Sequence, residues 1–126
     1  MIHEEICTYE VSSLAKEKGF NEKCYHYYQK EELESDGYFN RYNKGVEYIC
    51  SAPTQSLLQR WLREERGVLV EVFVDDDSNM PLTYNIHQYK DWNWECVCHH
   101  HGNYYAVNDW EVCLEDALKY VLENLI

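Results

Sequence analysis

The stretch Cys96-Val97-Cys98-His99-His100-His101 holds the side chains best suited to chemistry in this chain. Thiolates and imidazoles are the preferred ligands of zinc, and their density here could furnish a full tetrahedral set. Strand alternation works against such a cage. On a regular strand Cys96 and Cys98 face one side while Val97 and His99 face the other. A site built from Cys96, Cys98, His99 and His101 therefore needs a bend at the histidines, or Cys113 as a recruit. Structural zinc sites ordinarily pair two separated clusters, and the sequence holds no second one. The expectation is two buried thiols beside a polar histidine corner, with no metal and no cofactor.

Other chemistries find less support. A reactive cysteine needs a base beside it and a donor for the oxyanion; no cysteine sits in a recognisable nucleophile context, and Cys98, His99 and Glu95 are the grouping an enzyme reading would use. No glycine loop cradles a phosphate and no serine sits in a nucleophile elbow. Asp75-Asp76-Asp77 lacks the glycine and distant glutamate of a calcium loop and reads as a solvated turn. Arg60, Arg63 and Arg66 recur every three residues, and Tyr25, Tyr27, Tyr28, Trp92 and Trp94 could stack bases. The simpler reading pairs the arginines with acidic neighbours such as Glu64 and Glu65 and uses the rings to fill or edge a core.

Bulk properties narrow the field further. At 126 residues and 15.2 kDa the chain is one domain's worth, 1–126, able to bury a core without staples. It is 45% hydrophobic with 5 Gly and 2 Pro, which excludes a disordered or collagenous polymer. No apolar run approaches the roughly 20 residues of a membrane span. Met1-Ile2-His3-Glu4-Glu5 offers neither a basic leader nor an apolar stretch, so the expected location is cytoplasmic and the six cysteines are expected as thiols. With 11 Lys and Arg against 23 Asp and Glu, the formal charge of −12 repels a duplex or an anionic membrane surface. Nucleic acid is not the expected partner, although charges more than about 8 Å apart are largely screened, which leaves room for a local basic patch.

The elements that must position these residues follow from periodicity and punctuation. Thr8 caps a helix with Val11, Leu14 and Ala15 on one face, closed by Gly19. Cys24 to Tyr28 and Tyr38 to Tyr42 read as strands, joined by the acidic stretch Glu31 to Gly37 as a connection or a short solvated helix; Val46 to Cys50 is a third short strand. Ser51-Ala52-Pro53-Thr54-Gln55 opens a helix with proline in its first turn, Leu57, Leu58, Trp61 and Leu62 as its buried stripe, and Gly67 at its end. Val68 to Asp75 has apolar residues on both faces and reads as a central strand. A turn at 75–79, a strand through Leu82, Tyr84 and Ile86, a third from Trp94 to His99, a turn at Gly102-Asn103 and an extended piece at Tyr104 to Val107 complete a meander. Asn108 or Asp109 caps a last helix whose apolar face is Trp110, Leu114, Ala117, Leu118, Val121 and Leu125. The order helix, strands, helix, three-strand meander, C-terminal helix predicts an α+β fold: three helices against an antiparallel sheet of about four to six strands.

From Ser51 through Glu64, and more loosely at Glu10-Val11, Lys16 to Phe20, Val70 to Val72, Leu114 to Leu118 and Leu122 to Ile126, the sequence resembles a group of short uncharacterised proteins. These are encoded by Bacteroidales genomes in prophage or mobile-element settings. Cys96 to His101 is outside the shared pattern. No activity is attached to the group, so the resemblance implies a setting and no mechanism.

These readings converge on a small cytoplasmic accessory protein that binds another protein and is not an enzyme, its oligomeric state open. The contact patch is expected around Trp92 and Trp94 or along Arg60, Arg63 and Arg66, because Trp, Tyr and Arg dominate interface energies. A second reading is an acidic decoy that occupies the nucleic-acid site of a host protein, and a third is a metal-binding or thiol-dependent enzyme.

Overall fold

The computed structural model describes residues 2–45, 47–75, 82–99 and 104–126. Helix α1 spans Tyr9–Glu17; strands β1, β2 and β3 span Cys24–Gln29, Glu32–Asn40 and Ile49–Ala52. Helix α2 covers Gln55–Arg66, and β4, β5 and β6 cover Val68–Val74, Leu82–Lys90 and Asn93–His99. A short 3₁₀ turn at Val107–Asp109 leads into α3, Trp110–Asn124. The fold is α+β in the expected order, and all strand pairings are antiparallel. The strands divide into two three-stranded sheets, ordered β2-β1-β3 and β4-β5-β6. No helix among the described residues is long and apolar enough to cross a membrane.

Local chemistry accounts for the helix ends. Thr8 and Thr54 are extended residues whose hydroxyls accept from the amides of Val11 and Leu57, three residues on, as N-caps do. Gly67 ends α2 in the left-handed region, φ 64°, which a Cβ would penalise. Pro53 stands one place before the cap and not inside the first turn. Ser51 and Ala52 belong to β3, and the Pro53 carbonyl accepts from the amide of Cys7 at 2.9 Å.

The helices enclose most of the core. Val11 and Ala15 of α1, Leu58, Trp61 and Leu62 of α2, and Leu114, Ala117, Leu118, Val121 and Leu122 of α3 meet Val68, Val70, Tyr84 and Ile86 of the second sheet. Helix α1 also packs on β3 of the first sheet, where Tyr28, Cys50 and Ala52 form a smaller apolar cluster with Ile6.

Several expectations are corrected. The acidic stretch is part of β2 and neither a connection nor a helix; the actual reversal is Lys30-Glu31, both at positive φ (51° and 70°) as a two-residue hairpin turn requires. The third strand begins at Ile49 and Val46 lies outside the described residues. β4 is an edge strand and β5 is central, because β5 carries partners on both sides. Trp110 is 44% exposed, and Cys113 and Leu122 complete the buried face of α3 in its place. Asp109 precedes α3 without a side-chain capping bond. Of the anticipated turns, 76–79 and Gly102-Asn103 lie outside the described residues. The extended piece near Tyr104 is a single bridge, Tyr105 to Leu82.

One carboxylate ties the three helices together. Glu115 of α3 accepts from the backbone amide and the hydroxyl of Thr8, both at 2.8 Å, and from the Gln55 amide group at 2.9 Å. Gln55, 5% exposed, donates from the same nitrogen to the Glu111 carbonyl at 2.9 Å. Removing the acceptor leaves a buried amide and a helix cap short of partners. Glu115→Ala is expected to lower the unfolding free energy by about 2–3 kcal/mol in urea titration, and Glu115→Gln, which keeps one acceptor oxygen, by less.

Candidate groove on the first sheet

The irregularity in β2 shapes one wall of a broad concavity. Cys24 pairs with Asn40 and His26 with Ser35, so residues 36–39 leave the ladder as an enlarged bulge opposite Tyr25. Gly37, φ 86°, takes the left-handed turn within it. The excursion carries Phe39 over Tyr25, ring centroids 5.4 Å apart and near edge-to-face. Tyr25 also contacts the His26 ring at 5.1 Å.

The opposite wall is α2 and the N-terminal segment. That segment runs beside the start of α2, held by Gln55 N–H to the Glu5 carbonyl at 2.9 Å, Cys7 N–H to Pro53, and the Ser56 hydroxyl to Glu4 at 2.6 Å. Between the walls lies an open groove of about 1040 Å3. Tyr25, Phe39, Ile6 and Leu57 supply its apolar surface, and His3, Lys23, His26, Arg60 and Arg63 its basic groups. Glu4 is the single carboxylate among its lining residues, and Ser56 already bonds it.

The three arginines of the anticipated stripe separate by role. Arg60 and Arg63 are exposed and line the groove. Arg60 reaches Glu64 at 3.0 Å, an exposed pair one helical turn apart that contributes about 0.3–0.5 kcal/mol and is readily exchanged. Arg63 and Lys23 have no ion-pair partner among the described residues. Arg66 is structural: its guanidinium donates to the Lys18 carbonyl and lies 5.2 Å over the Trp61 ring, bracing α2 against the end of α1.

Trp92 and Trp94 belong to a different surface, the β5–β6 hairpin. Asp91 and Trp92 form its two-residue turn at φ 50° and 69°, and Trp92 is 89% exposed. Trp94 is 45% exposed, paired across the ladder with Tyr89 at 5.3 Å. Tyr27 stacks on Tyr42 at 4.5 Å, and Tyr28 donates from its hydroxyl to the Cys7 carbonyl at 2.7 Å, so these rings serve the fold.

The Cys96 to His101 cluster is split by a second bulge. Ile86 pairs with Cys98 but His87 pairs with Cys96, so one extra residue, Val97, stands opposite no partner. The two thiols therefore fall on opposite faces and not on the one face that regular alternation predicts. Cys98 is buried with Ile86, beside the Tyr120 hydroxyl, whereas Cys96 is exposed and its thiol donates to the Cys98 carbonyl. Glu95 is exposed at the register of Gln88, His99 pairs through its backbone with Asn85, and His101 lies outside the described residues. No group of three or more metal-ligating side chains is gathered among the described residues.

Burial sets the thiols' acidity. It pushes Cys24 and Cys113 up to about 12 from an ordinary 9.0, and raises Cys7, Cys50 and Cys98 as well. Nearby carboxylates reinforce the effect at Cys7, Glu115 first. Tyr28 and Tyr84 rise to about 12 from 10.0, again mainly through burial. A thiol held protonated is a poor nucleophile and a poor metal ligand. The sign of the linkage follows: above about pH 9 the unfolded chain loses thiol protons that the folded chain retains, so stability falls with rising pH up to about 12. By about pH 10.5 Cys24 and Cys113 should each cost roughly 2 kcal/mol relative to neutral pH, read as a lower guanidinium midpoint under reducing conditions.

Comparison of the chain with protein-family models, with curated proteins and with solved structures finds no match.

Proposed function

We propose that this chain is a cytoplasmic accessory protein that acts by holding another protein and not by catalysis, in the mobile-element setting its sequence resemblance implies. One observation carries the reading: a groove lined by Lys23, Arg60, Arg63 and two histidines beside an aromatic ledge, on a chain whose acidic residues outnumber its cations 23 to 11. Lys23 and Arg63, which have no ion-pair partner among the described residues, are more useful to a partner than to the fold. Arginine and tyrosine are the side chains that dominate interface energies. Five thiols kept protonated by burial weigh against a thiol nucleophile. Six cysteines carried as thiols suit a reducing compartment.

A second surface has its own support, since Trp92 occupies a left-handed turn position that costs a bulky residue of order 1 kcal/mol and yields it no burial. Photocrosslinking in host lysate separates the two. The double variant Arg60→Glu/Arg63→Glu should melt within a few degrees of the wild type and lose its crosslinked partner, while Lys90→Glu, the same kind of charge change outside the groove, keeps it. Capture that survives the double variant and disappears in Trp92→Ala would move the contact to the hairpin tip. Capture insensitive to all three would remove the protein-binding reading.

A further inference from the structure

The geometry points to an extended acidic peptide segment of the partner as the occupant of the groove, with carboxylates at alternate positions facing α2 and apolar side chains between them facing Tyr25 and Phe39. This rests on the protein-binding reading and adds the chemistry of what is bound.

Spacing is the first argument. Arg60 and Arg63 are three residues apart on α2, so their Cβ atoms lie about 5–6 Å from one another on one helix face. An extended chain advances about 3.3 Å per residue and repeats a face every second one, which sets same-side carboxylates roughly 6.6 Å apart. Each arginine presents a planar fork that matches a carboxylate in bidentate fashion. Neighbouring positions of such a segment point the other way, toward the ledge made by Phe39, 66% exposed, and Tyr25, 38% exposed.

Charge is the second. Lys23 and Arg63 have no ion-pair partner among the described residues, Arg60 holds only an exposed neighbour, and the sole lining carboxylate is already bonded by Ser56. A few carboxylates within the groove sit closer to these cations than the screening length of about 8 Å, so they experience the local charge. A nucleic-acid strand extends well past that distance and meets the field of a chain at −12. A peptide segment can confine its carboxylates to the groove, whereas a polynucleotide carries a charge at every residue beyond it, so charge distribution favours an acidic peptide segment over a polynucleotide.

The test uses the full chain and two displayed peptide libraries of about ten residues, long enough for roughly 33 Å of extended chain. One fixes Asp or Glu at alternate positions; the other holds the same number of acids in a block. Fluorescein-labelled oligouridine is the third probe. Selection from the alternating library, with affinity lost about tenfold or more in Arg63→Glu and in Lys23→Glu but within twofold of wild type in Lys90→Glu, is the expected result. Equal enrichment of the block library, absence of enrichment, or tighter binding of oligouridine would each overturn the assignment. If groove-dependent crosslinking of a protein persists alongside any of those outcomes, the acidic-segment assignment fails and the protein-binding reading stands; if crosslinking is lost as well, both fail.

Discussion

The carboxylate of Glu115 is the joint on which the arrangement of this molecule turns. It satisfies the amide and hydroxyl of the residue that caps α1 and the side chain of the first residue of α2, and it belongs itself to α3. Two helix N-termini that are far apart in sequence thus share one acceptor on a third helix. The consequence reaches beyond the helices. With the start of α2 fixed, the N-terminal segment pairs along it through Ile6 and Thr54, and one wall of the groove is set. Such a joint adds directionality that apolar contacts lack, because burial of Leu118 or Val121 would tolerate a sliding helix and three hydrogen bonds to one carboxylate do not.

Two bulges decide where chemistry becomes available. In β2 the unpaired residues 36–39 throw an aromatic ring over its neighbour and open a groove with basic walls. In β6 a single extra residue turns Cys96 away from Cys98 and separates the two side chains that had most suggested a metal. Regular alternation would have reversed both results: a smooth β2 would leave Tyr25 without the ring now above it, and a smooth β6 would place both thiols on one face.

The helices were legible because 3.6-residue periodicity and capping are local. Thr8 and Gly67 announce their roles through side-chain chemistry alone, whereas Thr54 caps α2 at the place where the sequence pattern puts Pro53 inside the first turn. The α3 face is legible apart from Trp110, which is exposed, and Cys113 and Leu122, which complete it. The hairpin turns were not legible. Lys30-Glu31 and Asp91-Trp92 take the left-handed conformations normally assigned to Asn and Gly, so the acidic stretch looked like a connection when it is a strand. Edge and centre were exchanged for a similar reason: β4 is richer in valine, but centrality is a property of partners, and β5 has two. In the candidate site, Arg60 and Arg63 were visible as a helical stripe. Lys23, His3, His26, Tyr25 and Phe39 join them only through the bulge and the paired N-terminal segment, and no local pattern encodes either.

The acidity of the chain and the basicity of its groove are complementary. A net charge of −12 keeps the protein apart from other polyanions at distances where its individual charges blur together, and it does so least for a ligand small enough to sit inside one screening length of the groove. Within the groove, Lys23 and Arg63 are exposed and have no ion-pair partner among the described residues. Arg66 illustrates the contrast. One turn beyond Arg63 it is committed to the Lys18 carbonyl and the Trp61 ring, so identical side chains on one helix divide between holding the fold and facing outward. The division follows from helix rotation: three residues advance about 300° around the axis, enough over two such steps to carry a side chain from the groove to the α1 contact.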